Sequence, residues 1–147
     1  MFNGLMPAMV APFDEDGEPD LRATKAIVER LIEAGVDTIS ALGSTGEFSQ
    51  LTEQERRHFA EELLGTVEGR VPLLIGDGSS STRVAVKLAR HAEEVGASGV
   101  LAVSPFYWKV GEEALYKHFV TVAESVEIPT SSTTSRCLPA LTSPPRS

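Results

Sequence analysis

The chain has one cysteine in 147 residues, Cys137, so no disulfide can form within it. That scarcity fits a reducing compartment, and a cytoplasmic location is expected. No apolar run is long enough to cross a bilayer. Met1 to Pro12 is apolar but lacks a basic leader region, and it reads as a first strand rather than a signal peptide. The three histidines, His58, His91 and His118, fall in charged, helix-like segments without ligand spacing. They are expected on the surface, with no metal and no cofactor. Basic residues are outnumbered: the formal net charge is −8. This argues against nucleic acid or an anionic membrane as the main partner. The acids are spread over helix-like segments, as on a solvated face. Also missing are a Gly-x-Gly-x-x-Gly after the first strand and a phosphate loop with lysine, which weakens a nucleotide-binding sheet.

What is present is an alternation of strand-like and helix-like segments. Leu5 to Phe13 is an apolar run ending in the turn Asp14-Glu15-Asp16-Gly17. Pro19-Asp20 opens a helix with the pairs Ile27/Val28 and Leu31/Ile32, stopped at Gly35. Further strands are expected at Asp37 to Leu42, Val71 to Ile75 and Gly99 to Val103. A second helix starts at a capping box from Thr52 to Glu55 and carries Phe59/Ala60 and Leu63/Leu64. A third has Ala85, Leu88, Ala89, Ala92 and Val95 on one face, and a fourth has Leu115, Phe119, Val122 and Val126. Glu33-Ala34-Gly35-Val36-Asp37 and Glu94-Val95-Gly96-Ala97-Ser98 repeat one design: a helix end, a glycine cap, a strand start. Repeated βα units build parallel sheets with helices outside. Either an open doubly wound sheet or a (β/α)8 barrel fits, and both place the site at the C-terminal ends of the strands.

At such an end stands Leu42-Gly43-Ser44-Thr45-Gly46-Glu47. Glycines flanking two hydroxyls expose N–H and O–H donors together, as a small carboxylate requires. Read alone, the motif is equally a strand-to-helix turn. Glu47 reads as structural, fixing the loop by hydrogen bonds, and Asp77 in Gly76-Asp77-Gly78 as a turn residue.

Four stretches together resemble the dihydrodipicolinate synthase / N-acetylneuraminate lyase superfamily, pyruvate-dependent class I aldolases on a (β/α)8 barrel. They are Pro7 to Phe13, Gly43-Ser44-Thr45-Gly46-Glu47-Phe48, Leu51-Thr52-Glu53-Gln54-Glu55-Arg56 and Ser104-Pro105-Phe106-Tyr107-Trp108. The resemblance runs from about Gly4 to Pro129. The wording around Glu47 and Trp108 is most similar to the branch that cleaves 2-keto-3-deoxy sugar acids. The resemblance implies an α/β barrel fold, here four βα units over 1–129. It implies reversible carbon–carbon cleavage of a 2-keto acid to pyruvate and an aldehyde, through a Schiff base to a lysine on strand six. The implied site residues are Ser44, Thr45 and Gly46 for the pyruvate carboxylate, with the Thr45 N–H foremost. Ser44 and Tyr107 are implied in a proton relay completed by a tyrosine on strand five. Trp108 reads as a packing aromatic. The family's strand-four tyrosine reaches into a neighbouring subunit, which implies a homodimer or homotetramer.

From Thr130 to Ser147 the text changes: five serines, four threonines and three prolines, with no acid. A disordered tail over 130–147 is the plain expectation. The genetic code allows a sharper one. Starting two bases later, the codons of Thr130 to Arg136 permit an apolar pair followed by Tyr-Asn-Phe-Pro, which the resemblance calls for at strand five. A frameshift near Thr130 is therefore expected. None of the four lysines stands at the Schiff-base position: Lys25, Lys87 and Lys117 lie in helices and Lys109 in a loop. As written, the chain is expected to be inactive alone. It would be a non-catalytic fragment, or a half-barrel that needs a partner.

Overall fold

A computed structural model describes Phe2 and residues 4–133. Four helices, α1 (Leu21–Glu33), α2 (Glu53–Val67), α3 (Thr82–Glu94) and α4 (Glu112–Ala123), alternate with four strands. The strands are β1 (Ile39–Ala41), β2 (Leu73–Gly76), β3 (Gly99–Val103) and β4 (Thr130–Thr133). All pair in parallel, in the spatial order β1-β2-β3-β4. A doubly wound sheet reverses its order at a switch point; this one steps in one direction only. Since parallel crossovers are right-handed, every helix falls on the same side. That is the arrangement of part of a barrel wall.

The expected helix signals operate. The Asp20 carboxylate accepts from the Ala23 N–H at 2.9 Å. In the capping box the Thr52 N–H donates to Glu55 Oε2 at 2.6 Å, and the Glu55 N–H to Thr52 Oγ1 at 3.2 Å. Gly35 and Gly96 hold φ of 76° and 93° just past α1 and α3, where a Cβ would be strained. Strand alternation sorts the sheet's two faces. Ile39, Ala41, Leu73, Ile75, Val100 and Ala102 join the core beneath the helices, with Val28, Phe59, Leu63 and Val122. Ser40, Leu74, Leu101 and Val103 occupy the other face.

Two expectations change. The run Leu5 to Phe13 is not a strand of the sheet. It lies beside β1 through one parallel bridge, Ala8 to Ser40, with the Met9 N–H donating to Ser40 O at 2.8 Å and the Ser40 N–H to Pro7 O at 3.1 Å. Pro7, on the side that faces β1, has no N–H to donate, which limits the ladder. The second change is at the other edge. Thr130–Thr133, the start of the expected tail, forms β4 in register with Val100–Val103. The edge of β3 presents unpaired backbone groups, and backbone pairing is indifferent to side chain. β3 is therefore covered rather than open. Residues 134–147, with Cys137 and the rest of the shifted reading, lie outside the described residues.

No described helix is long and apolar enough to cross a membrane.

Candidate active site

The segments following β1, β2 and β3 emerge at the same end of the sheet, because the strands are parallel. After β1, Gly43 to Glu47 forms a tight turn: the Gly46 N–H donates to Gly43 O at 3.0 Å and the Glu47 N–H to Ser44 O at 3.1 Å. In this 3₁₀ turn the first donors, the Ser44 and Thr45 amides, have no partner within the turn. Their side chains are exposed, whereas Gly46 is buried. Gly46 has a second reason to be glycine: a Cβ there would lie 3.2 Å from Met9 O. The turn is bracketed by residues in left-handed backbone, Leu42 with φ 57° and Glu47 with φ 49°. Such conformations outside glycine cost on the order of 1–3 kcal/mol and persist where the surroundings impose them. Tyr107, in the segment after β3, is a third at φ 80°. The fourth described non-glycine residue with positive φ is Glu68, which caps α2.

Ser44, Thr45 and Tyr107 thus share one end of the sheet, but no hydrogen bond joins Tyr107 to the hydroxyl pair. Tyr107 is 83 % exposed, its ring edge-on to Trp108 with centroids 4.9 Å apart. Trp108 is 71 % exposed, so it is not a packing residue within this chain, as the sequence had it. Glu47 does fix the turn, but through its backbone. Its N–H bonds Ser44 O and its carbonyl accepts from the Gln50 N–H at 2.8 Å, while its side chain is exposed.

The buried polar groups at this end were not anticipated as a set. Asp77 is no surface turn residue. It is 1 % exposed, and neither carboxylate oxygen has a hydrogen-bond partner. Burial pushes its carboxyl up to about 7, with the nearby Arg56 charge opposing. Arg56, on α2, is itself buried. Its Nη1 donates to Gly78 O at 2.8 Å and its Nη2 to Gly76 O at 2.9 Å. The guanidinium lies 5.0 Å from the centre of the Phe48 ring, a cation–π contact. Desolvation lowers Arg56 to about 10, so it stays charged at neutral pH. The sequence signal was available: Arg56 closes the third family-like stretch, one residue past the capping Glu55.

His118 corrects the surface expectation for the histidines. It is 3 % exposed, with Nδ1 2.9 Å from Thr82 Oγ1 and Nε2 3.2 Å from Val103 O. Its helix packs on α3, and burial lowers its pKa, favouring the neutral ring. His91 is partly covered beside Glu61, at 2.9 Å, and His58 is exposed. Lys25, Lys87 and Lys117 lie on α1, α3 and α4, and Lys109 in the segment between β3 and α4.

Comparison with known proteins places this geometry. The dihydrodipicolinate synthetase family matches residues 1–131. The putative 2-dehydro-3-deoxy-D-gluconate aldolase YagE of Escherichia coli K12 is 43 % identical over 129 residues, which are 88 % of this chain and 43 % of YagE. The 4-hydroxy-tetrahydrodipicolinate synthase of Pelobacter propionicus is 45 % identical over 129 residues, again 88 % of this chain and 44 % of the relative. The crystal structure of E. coli YagE in complex with pyruvate superposes with a TM-score of 0.87 at 42 % identity, covering 90 % of this chain and 44 % of that one. The chain therefore spans under half the length of these relatives. With the one-directional parallel sheet and the hydroxyl turn at its C-terminal end, it belongs to the dihydrodipicolinate synthetase family.

Proposed function

We propose that this chain carries the carboxylate-binding part of a pyruvate-dependent class I aldolase site. The carrying observation is the Gly43–Glu47 turn, which leaves the Ser44 and Thr45 amides unpaired beside their exposed hydroxyls. Two N–H and two O–H donors in one exposed turn can hold both oxygens of a carboxylate without a cation. That YagE was crystallised with pyruvate supports pyruvate as the keto acid. In this reading Ser44, Thr45 and Gly46 bind the carboxylate, with the Thr45 N–H as principal donor. Ser44 also moves a proton, with Tyr107 as the next group of the relay. The complete reaction is cleavage or formation of a carbon–carbon bond on a 2-keto acid such as 2-keto-3-deoxygluconate. A lysine amine forms the Schiff base, so the chemistry calls for neither metal nor cofactor. That lysine is not among the four in this chain, and the chain alone is proposed to be inactive. A cytoplasmic homodimer or homotetramer is the proposed state of the whole enzyme.

Pyruvate titrated into isotope-labelled chain should shift the Thr45 and Gly46 amide signals, and Ser44→Ala with Thr45→Val should abolish the shift. Borohydride added with pyruvate should leave no adduct. An unshifted Thr45 amide would remove the carboxylate reading, and a trapped adduct would remove the reading of inactivity.

A frame slip near Thr130 is proposed alongside, favoured by one observation. β4 has the register of a wall strand, yet its Thr130 Oγ1 is buried without a hydrogen-bond partner, opposite Val100. Fresh nucleotide reads from the Pro129 codon decide it. A shifted frame that stays open through Tyr-Asn-Phe-Pro and a later lysine supports the slip; early closure overturns it.

A further inference from the structure

We propose that Arg56 is the positioning residue of the carboxylate turn: one guanidinium locks the segment after β1 to the segment after β2 and so sets where the Ser44 and Thr45 donors point. This rests on the reading of those donors given above. The Arg56 guanidinium ties only strand-end segments. Nη1 and Nη2 hold the carbonyls of Gly78 and Gly76, and the flat face covers Phe48. Phe48 in turn is wedged in place. A Cβ on Gly78 would come within 2.7–2.9 Å of its ring atoms, and its ring meets Phe106, from the segment after β3, with centroids 5.5 Å apart. The Ser80 hydroxyl donates to Phe106 O at 2.6 Å, closing the circuit back to the β2 end. Gly76 approaches the backbone of Leu42 so closely that a Cβ would collide with the Leu42 carbonyl oxygen. Two strand-end segments thus meet on one side chain supplied by α2, and the third joins them through Phe48 and Ser80.

The strands themselves do not need Arg56. β1, β2 and β3 hold one another through their own ladders. The turn bearing Ser44 and Thr45 has its two internal bonds, the Gln50 N–H on the Glu47 carbonyl, and the link from Met9 through Ser40 nearby. Its orientation depends on Phe48, two residues past Gly46, and Phe48 depends on Arg56. Lysine is no substitute. One ammonium cannot span two carbonyls in a fork and stack on a ring at once. Asp77 is the acidic group acting on Arg56 from just past the end of β2, and Glu53 acts on it from α2. Neither makes a hydrogen bond to the guanidinium, so the fork is free for the two carbonyls.

The test is amide hydrogen exchange, residue by residue, in the whole chain and in Arg56→Met and Arg56→Lys. The expected result is exchange at Gly46, Glu47 and Gly78 faster by about tenfold or more in both variants, with Leu74, Ile75 and Val100 changed by less than about twofold. Rescue by Arg56→Lys overturns the proposal, because charge and bulk alone would then suffice. Uniform loosening of turn and strands overturns it as well. Should Arg56→Met fail to fold, Phe48→Leu removes the same link at its far end. It must loosen Gly46 and Glu47 selectively, or the proposal falls; unfolding of both variants also defeats it. Pyruvate titration of the same samples is read separately. If the unaltered chain shows no Thr45 shift, the carboxylate reading fails while exchange still decides the role of Arg56. If it does show one, Arg56→Met should weaken the response about fivefold or more.

Discussion

β3 and β4 lie side by side in one parallel ladder, Val100 against Thr130 through Val103 against Thr133, and they could hardly differ more in side chain. β3 sends Val100 and Ala102, both fully buried, into the core under α3. β4 sends Thr130 and Ser132 to the same side. The backbone of β4 is placed by its ladder with β3, although as the edge strand it pairs on one side where β3 pairs on both. What it lacks is apolar area removed from water, the main favourable term in folding. A hydroxyl buried without a partner adds a desolvation cost. Pairing gives a strand its position, and burial gives it stability. A similar contrast appears at the end of β2, where Asp77 continues the side of Leu73 and Ile75 into the buried layer.

The largest expected effect comes from Asp77, which breaks the apolar side most severely. Burial raises its pKa from 3.8 to about 7, so the folded state holds its proton more tightly than the unfolded one. The protonated form's advantage is complete below pH 3.8 and is lost as pH rises through about 7. At roughly 1.4 kcal/mol per pH unit the loss is about 4 kcal/mol at pH 8, an order-of-magnitude figure. Asp77→Asn should therefore stabilise the chain at pH 8 and flatten its stability between pH 4 and 7, read by urea melts. An unchanged pH slope would show that another group carries it. Next, Val100→Thr copies the β4 situation into β3. It buries a hydroxyl in an apolar layer and should cost about 1–3 kcal/mol in the same melts. The converse, Thr130→Val, keeps the shape and removes the orphaned hydroxyl. It should stabilise by about 1 kcal/mol. If the two substitutions do not differ in sign, the contrast between the strands is not one of burial.

Much of this was legible in the residues. The capping box at Thr52 and Glu55, the Asp20 cap and the glycines at 35 and 96 act through bonds three or four residues long, so local sequence contains both partners. The bounds of β3 follow from the short apolar run Gly99 to Val103. The hydroxyl turn was legible as a motif, because its geometry depends on Gly43, Gly46 and two internal bonds. Leu5 to Phe13 was misread since its hydrophobicity fits a strand, while Pro7 limits what it can donate. His118 and Asp77 were misread for a different reason. Their neighbours, Thr82 and Val103 for one and Arg56 for the other, are far away in sequence, and nothing local reveals that these side chains are covered.

The sequence by itself determined the alternation of elements, where helices begin and stop, the family and the identity of the hydroxyl pair, since these rest on short-range bonds and on matching residues. Only the tertiary structure decided the one-directional strand order, the capture of Thr130–Thr133 by the β3 edge and the union of Phe48, Arg56, Gly76 and Gly78 around the turn. Those outcomes depend on contacts made after the chain has folded back on itself, between groups that no local rule connects.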